Sequence, residues 1–386
     1  MTRTKTFKLL SIIITLVVSG SLSAQLDEPN NELEGAANYF LDSSDATKWA
    51  VIITGPTVGE TNQAQFRQWS FSLHDILTRD YGYSSDTITL LYGRGAPALP
   101  GGDRVDGATD RQSIEQALLD LASRVATGDQ VTLYLNGHGS GAEEEAKFNI
   151  VGPDMTGSEF ATLLDQFDRQ DIVIVNTTSA SYGFSTSLSS ERRVVISSTR
   201  SPSERYDPIF SRYFIEALDS RNGDRDKNNR VSMLEAFEYA KNNVEAWYEE
   251  QGRLASEHAG LDDNGDALFA LNPTVDAIDG RLAEIAYIDT LVDDTANLSQ
   301  EARELKAKMQ EIERSVFILR GRKQDFLDAN YWEQMEGLLV DLARATGRFN
   351  DVAGLPEEEE ISADETLSEQ TNDCLLYTSP SPRDRG

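Results

Sequence analysis

Cysteine is all but missing: the single one in 386 residues is Cys374. It opens the stretch C-L-L-Y-T-S-P-S-P-R-D, Cys374–Asp384, which resembles a sequencing-library adapter translated in frame. Residues 374–386 are therefore set aside as an artefact in fold reasoning, as an expression tag would be. The remaining chain has no disulfide frame, no thiolate metal site and no cysteine nucleophile. Long apolar runs are also missing beyond the first 24 residues, so no membrane-spanning segment is expected. Basic residues are scarce: 35 Lys and Arg stand against 65 Asp and Glu, a formal net charge of −30. That balance excludes nucleic acid and anionic membranes as partners and suits a solvated surface or divalent cations.

Residues 1–24 carry a basic start (Arg3, Lys5, Lys8), an apolar core from Leu9 to Val18 and a small-residue end at Ser21, Ser23 and Ala24. This pattern is that of a secretory signal peptide. With no cysteine after it to take a lipid anchor, it predicts a secreted or periplasmic protein. Residues 25–45 read as a polar, acidic leader.

From residue 46 to residue 272, apolar strands alternate with amphipathic helices. Trp49–Thr54, Thr87–Tyr92, Val131–Leu135, Asp171–Val175 and Arg193–Ser197 read as buried strands. Phe66, Trp69, Leu73 and Leu77 recur at helical spacing, and His74 beside them reads as a structural histidine. Thr109 with Gln112 reads as a capping box for the next helix, and Thr156 with Glu159 for the one after. Strands apolar throughout, with helices between them, predict an α/β domain with a mainly parallel sheet covered on both faces. Residues 273–350 read as three helices forming a helical hairpin or short coiled coil, serving as a structural appendage or for homo-oligomerisation. Residues 351–373, with the run Glu357–Glu360, read as an acidic disordered tail.

Ligands of open parallel sheets gather at the carboxyl ends of the strands. Two residue groups fall there. The third strand stops at N-G-H-G-S, with His138 between glycines. The fourth stops at N-T-T-S-A-S, Asn176–Ser181. Together they supply a base and a cluster of hydroxyls.

Asp224–Glu235 reads D-R-D-K-N-N-R-V-S-M-L-E. Loop positions one, three, five and nine are Asp224, Asp226, Asn228 and Ser232. Arg230 at position seven would offer its backbone carbonyl, and Glu235 at position twelve a bidentate carboxylate. A hard cation needs this many oxygens, and the spacing is that of an EF-hand-like calcium loop. Asn229 replaces the usual glycine, and asparagine tolerates the left-handed backbone required there. Asp262, Asn264 and Asp266 imitate the start of a second loop. Its twelfth position is Pro273, so it reads either as a turn or as a donor to a site completed elsewhere.

The order of strand, His-Gly, strand, small-residue loop and strand, with the calcium-like loop after it, resembles the caspase–haemoglobinase fold. Tyr134–Ser140, Asp171–Phe184 and Ser197–Thr199 are most similar to bacterial members of the legumain-type cysteine endopeptidases. The resemblance implies a caspase-like domain in which His138 assists a nucleophile and the Gly139 backbone amide forms part of an oxyanion hole. It also implies cleavage after asparagine, aspartate or basic residues. The family's cysteine position falls on Ser179, with Thr178 as an alternative register. A substrate pocket is implied around Thr199, Glu204 and Asp207, whose two acids would receive a basic side chain. Serine is a far weaker acid than cysteine and needs a well-aligned base. The expectation is thus a pseudopeptidase that binds peptide or protein partners. The alternatives are an active endopeptidase using Ser179 and His138, or a calcium-stabilised structural protein.

Overall fold

A computed structural model describes residues 39–40, 46–57, 59–96, 100–290 and 298–353. The signal peptide, most of the leader, most of the acidic tail and the adapter-like segment lie outside the described residues. Nine strands occur among them: β1 (Lys48–Thr54), β2 (Ile88–Tyr92), β3 (Gln130–Asn136), β4 (Gly139–Ser140), β5 (Lys147–Phe148), β6 (Met155–Thr156), β7 (Asp171–Asn176), β8 (Arg193–Ser197) and β9 (Gly260–Asp262). The helices of the α/β part are α1 (Glu60–Asp80), α2 (Arg111–Arg124), α3 (Gly157–Leu164), α4 (Ser181–Thr186), α5 (Phe210–Leu218), α6 (Met233–Glu250) and α7 (Arg281–Ile285). Two long helices follow, α8 (Gln300–Gly321) and α9 (Asp328–Ala353).

Six strands form one sheet in the order β2-β1-β3-β7-β8-β9. All neighbours are parallel except β9, which runs antiparallel along β8. Alternation of side chains across the pleat divides the apolar residues between two cores. Ile52, Tyr134, Val173, Val175, Val194 and Ile196 face α1, α5 and α6. Val51, Ile53, Leu133, Leu135, Ile174 and Val195 face α2, α3 and α4. Both faces are covered, which is why these strands lack the polar alternation of a half-exposed sheet. The small β4-β5-β6 sheet sits beyond the end of β3.

Two local expectations are corrected. Asp110, not Thr109, caps α2: its side chain accepts the Ser113 amide, while the buried Thr109 hydroxyl donates to the Thr54 carbonyl. Of the three helices expected in residues 273–350, the first, across Ile278 to Val292, shrinks to α7 among the described residues, its end at 291–292 lying outside them. Ile278 is exposed, whereas Leu282, Ile285 and Ile288 join the core beneath α1 and α6. Backbone bonding explains the shortening, because residues beyond α7 turn extended to bond the start of α6, with Met233 N–H reaching Ala286 and Ile288 N–H reaching Val231. The Thr156–Glu159 capping box forms as expected.

The C-terminal helices α8 and α9 pack antiparallel. Ala302, Leu305, Met309 and Ile312 meet Ala345 and Phe349 at one end, and Val316 and Leu319 meet Tyr331 and Met335 at the other. Phe317 on α8 reaches the main core. Among the described residues no helix is long and apolar enough to cross a membrane.

Candidate functional site

Neighbouring β3 and β7 end together, Leu135 opposite Asn176, so the loops after them share one sheet edge. Asn136 closes β3 by donating its side-chain amide to the Phe66 carbonyl and the Ser70 hydroxyl, each at 3.1 Å. This ties the strand end to α1. His138 follows, its carbonyl held by the Asn149 amide at 2.9 Å and its ring 5.4 Å from that of Phe66. Its Nδ1 lies 2.8 Å from Asp207 Oδ1. The other Asp207 oxygen accepts the Asn62 side-chain amide at 2.9 Å. A carboxylate this close to Nδ1 would favour the tautomer with the proton on that nitrogen, with Nε2 left as an acceptor.

On the β7 side, Asn176 organises the loop. Its side-chain Oδ1 accepts the Thr178 amide at 3.1 Å and hydroxyl at 2.8 Å, and its side-chain Nδ2 donates to the Ser185 hydroxyl at 3.1 Å. The Thr178 hydroxyl is thereby committed inward. Ser179, almost wholly buried, accepts the Gly139 amide on its Oγ at 3.2 Å. The next residue, Ala180, adopts a left-handed backbone (φ 50°, ψ 32°), and its amide donates to the Glu204 carbonyl at 2.9 Å. Gly139 is required where it stands: a Cβ there would lie 2.2 Å from the Ser179 carbonyl oxygen.

His138, Gly139 and Ser179 are thus brought together, but no hydrogen bond joins Ser179 to His138 among the described residues. The donor expected as an oxyanion hole is filled by the serine's own hydroxyl. Of the residues expected to line a substrate pocket, Thr199 and Glu204 are buried and Asp207 is exposed. Thr199 is fully buried, donating its amide to Ser181 Oγ at 3.1 Å. Glu204 points inward to His258 Nδ1 at 2.6 Å and accepts the Arg200 amide at 3.0 Å and the His258 amide at 3.1 Å. Glu204 is already paired with His258 and, at 3.4 Å, with the Arg200 guanidinium, and Asp207, though exposed, has His138 and Asn62 as partners.

As site residues, Asn62, Phe66 and His258 are not expected from the sequence, which places Phe66 only on a core-facing helix. The first two had a usable signal: a helix following a strand in a parallel sheet begins at the carboxyl edge, so the first turns of α1 lie beside the β3 loop. His258 had none, since only the fold brings it to Glu204.

In the loop at residues 224–235, oxygens of Asp224, Asp226 and Glu235 lie within 4.8 Å of one another, an acidic cluster able to hold a metal ion. Asn229 takes the left-handed backbone expected of it (φ 63°), and its amide donates to Asp224 at 2.8 Å. Burial, then the charges of Glu235 and Asp226, push the Asp224 carboxyl up to about 7. Its Oδ1 is buried without a hydrogen-bond partner, an opening a cation would fill. Burial likewise raises Glu235. The other expected ligands have competing duties. Ser232 caps α6 with its hydroxyl, accepting the Glu235 amide at 3.2 Å. Asn228 accepts the Arg230 amide on its oxygen and donates to Tyr287 and to Glu313 of α8, both at 3.3 Å. The Arg230 guanidinium stacks 3.6 Å from the Tyr287 ring centre. The half-loop at Asp262 is a turn: its carboxylate accepts the Gly265 and Ala267 amides and the Ser189 hydroxyl.

No protein-family model matches the chain, and no curated protein matches it. Among solved structures, protein GSU0716 from Geobacter sulfurreducens is similar over 61% of this chain and 97% of its own. The identity is 10% and the TM-score 0.39, so the likeness carries no functional information.

Proposed function

We propose that the chain is an exported, caspase-like protein, akin to the legumain-type peptidases, that binds a peptide or protein partner at the β3–β7 edge without cleaving it. Ser179 carries this reading. Its hydroxyl is buried, occupies the Gly139 amide and has no hydrogen bond to His138. A serine needs its base aligned on it to become a nucleophile, and the Ser179 hydroxyl is instead taken up by the Gly139 amide. Calcium in the loop at residues 224–235 belongs to the same proposal. Asp224, Asp226 and Glu235 would hold it, with Asn228, Ser232 and the Arg230 carbonyl as the remaining donors at EF-hand spacing. The cation would neutralise a carboxylate cluster packed against α8.

One observation favours a second reading, hydrolysis by Ser179. The Asp207–His138 contact supplies the orienting acid that a serine nucleophile requires. Incubation of the protein with a peptide library, with calcium and with chelator, separates the two. Retention of peptides without new termini is expected. Cleavage lost in both Ser179→Ala and His138→Ala would overturn the pseudopeptidase reading.

A further inference from the structure

The two acids of the segment between β8 and α5, Glu204 and Asp207, each meet a histidine from elsewhere in the chain and form a second arrangement. Residues 198–209 have no helix or strand, yet they carry Asp207 to His138 and the Glu204 carbonyl to Ala180. Ordering each such residue costs about 1–2 kcal/mol of backbone entropy. The Asp207–His138 pair does not supply that, since its side chains are 35% and 25% exposed and pairs of this kind contribute about 0–1 kcal/mol. Something else must hold the segment.

Beyond Ser198 and Thr199, which are bonded to the loop after β7, two consecutive residues just before β9 do so. Glu257, 3% exposed, accepts the Ile209 amide at 2.9 Å and the Phe210 amide at 3.1 Å on its two oxygens, at the segment's far end. Tyr248 donates to the same carboxylate at 3.1 Å. His258 binds Glu204 through both its ring and its amide, at the near end. Asp207 lies between the two anchors.

We infer that Glu257 and His258 are positioning residues for the candidate site: by clamping residues 204 and 209–210 they place Asp207 on His138 and hold Ala180 in the left-handed turn after Ser179. Neither touches His138. They act on it only through the segment, with Glu204 as the near attachment. The inference deepens the proposed ligand site, because it identifies what fixes the proton on His138 Nδ1 and so leaves Nε2 as the acceptor offered to a ligand.

The test reads His138 directly by nitrogen-15 NMR of the full chain, which has three histidines. Wild type is expected to show a slowly exchanging Nδ1–H on His138, abolished in Asp207→Asn. Glu204→Ala is expected to lose the same signal, and His258→Ala to lose it or broaden it beyond detection. His258→Asn, whose side-chain amide reaches about where Nδ1 was, is expected to restore it. Leu118→Ala, in the core on the opposite face of the sheet, controls for lost stability and is expected to keep the signal. A Glu204→Ala or His258→Ala protein that folds and retains the wild-type Nδ1–H would overturn the inference, as would its loss in Leu118→Ala. Since the readout needs no ligand, the clamp can stand if no peptide binds, in which case only the proposed function falls.

Discussion

Gly139→Ala tests the close approach of the two loops. The added methyl would lie 2.2 Å from the Ser179 carbonyl oxygen and 3.1 Å from Thr178 Oγ1. Contact normally begins near 3.4 Å, so the loops must part by about 1 Å, and the Thr178 hydroxyl cannot give way without leaving Asn176. Overpacking of this kind costs about 1–3 kcal/mol. Separation also breaks the Gly139–Ser179 hydrogen bond, worth about 0.5–1.5 kcal/mol. The expected loss is therefore about 1.5–4.5 kcal/mol, read from urea denaturation midpoints at unchanged slope. Gly337→Ala is the matched contrast, because nothing lies within 4 Å of a Cβ there, inside α9. It should stabilise by about 0.5–1 kcal/mol, the usual gain for replacing a helical glycine. A Gly139→Ala midpoint equal to that of wild type would refute the geometry of the site.

Further predictions concern the loop, the clamp and the histidine. Calcium at a hundredfold excess over its dissociation constant should stabilise by about 2.7 kcal/mol, with chelator reversing the rise in melting temperature; no shift would remove the cation from the proposal. Asn229→Gly should relieve the left-handed backbone, with a change under about 1 kcal/mol, whereas Asn229→Val should lower the urea midpoint because a branched side chain resists φ 63°. Burial, opposed by the Ile209 and Phe210 amides, pushes Glu257 up to about 7 from an ordinary 4.5. A raised folded-state value favours the folded chain most at low pH, and that advantage is lost as pH climbs from about 4.5 to 7. The stability of wild type relative to Glu257→Gln should therefore fall by up to about 3 kcal/mol across that window, and a flat difference would contradict it. Asp207→Asn should change stability by less than about 1 kcal/mol, the contact being partly exposed, while weakening retention of any bound peptide; a large fall in melting temperature would show that the contact is structural.

The sheet was legible because its signal is local. Apolar runs such as Trp49–Thr54 and Val131–Leu135 can be buried only by cover on both faces, and the helices supply it. His138 and Ser179 were legible as residues following strand ends. The identity of their partners was not. Asp207 and Glu204 are two acids in a polar loop, and nothing nearby in sequence distinguishes a solvent-facing acid from one that meets a histidine 69 or 54 positions away. The helix expected around Ile278–Val292 is shorter among the described residues for a related reason. Its apolar spacing is that of core residues, and helix and extended chain both satisfy it over so short a stretch. Asn229 succeeded because a backbone requirement acts on the residue itself.

Strand β9 is three residues long, runs against the grain of the sheet, and continues at once into the Asp262 turn tied to Ser189. It is a lid on the open side of β8, whose five residues are all buried. A truncation placed before Gly260 would leave the unsatisfied amides and carbonyls of Val195–Ser197 beside an apolar strip, a template for another chain to extend. Such a fragment would retain His138, Ser179 and the loop at residues 224–235, yet it would be drawn into aggregates. The usable end of this domain therefore lies no earlier than this short hydrogen-bonded seal, and the core contacts of Leu282, Ile285 and Ile288 carry it further.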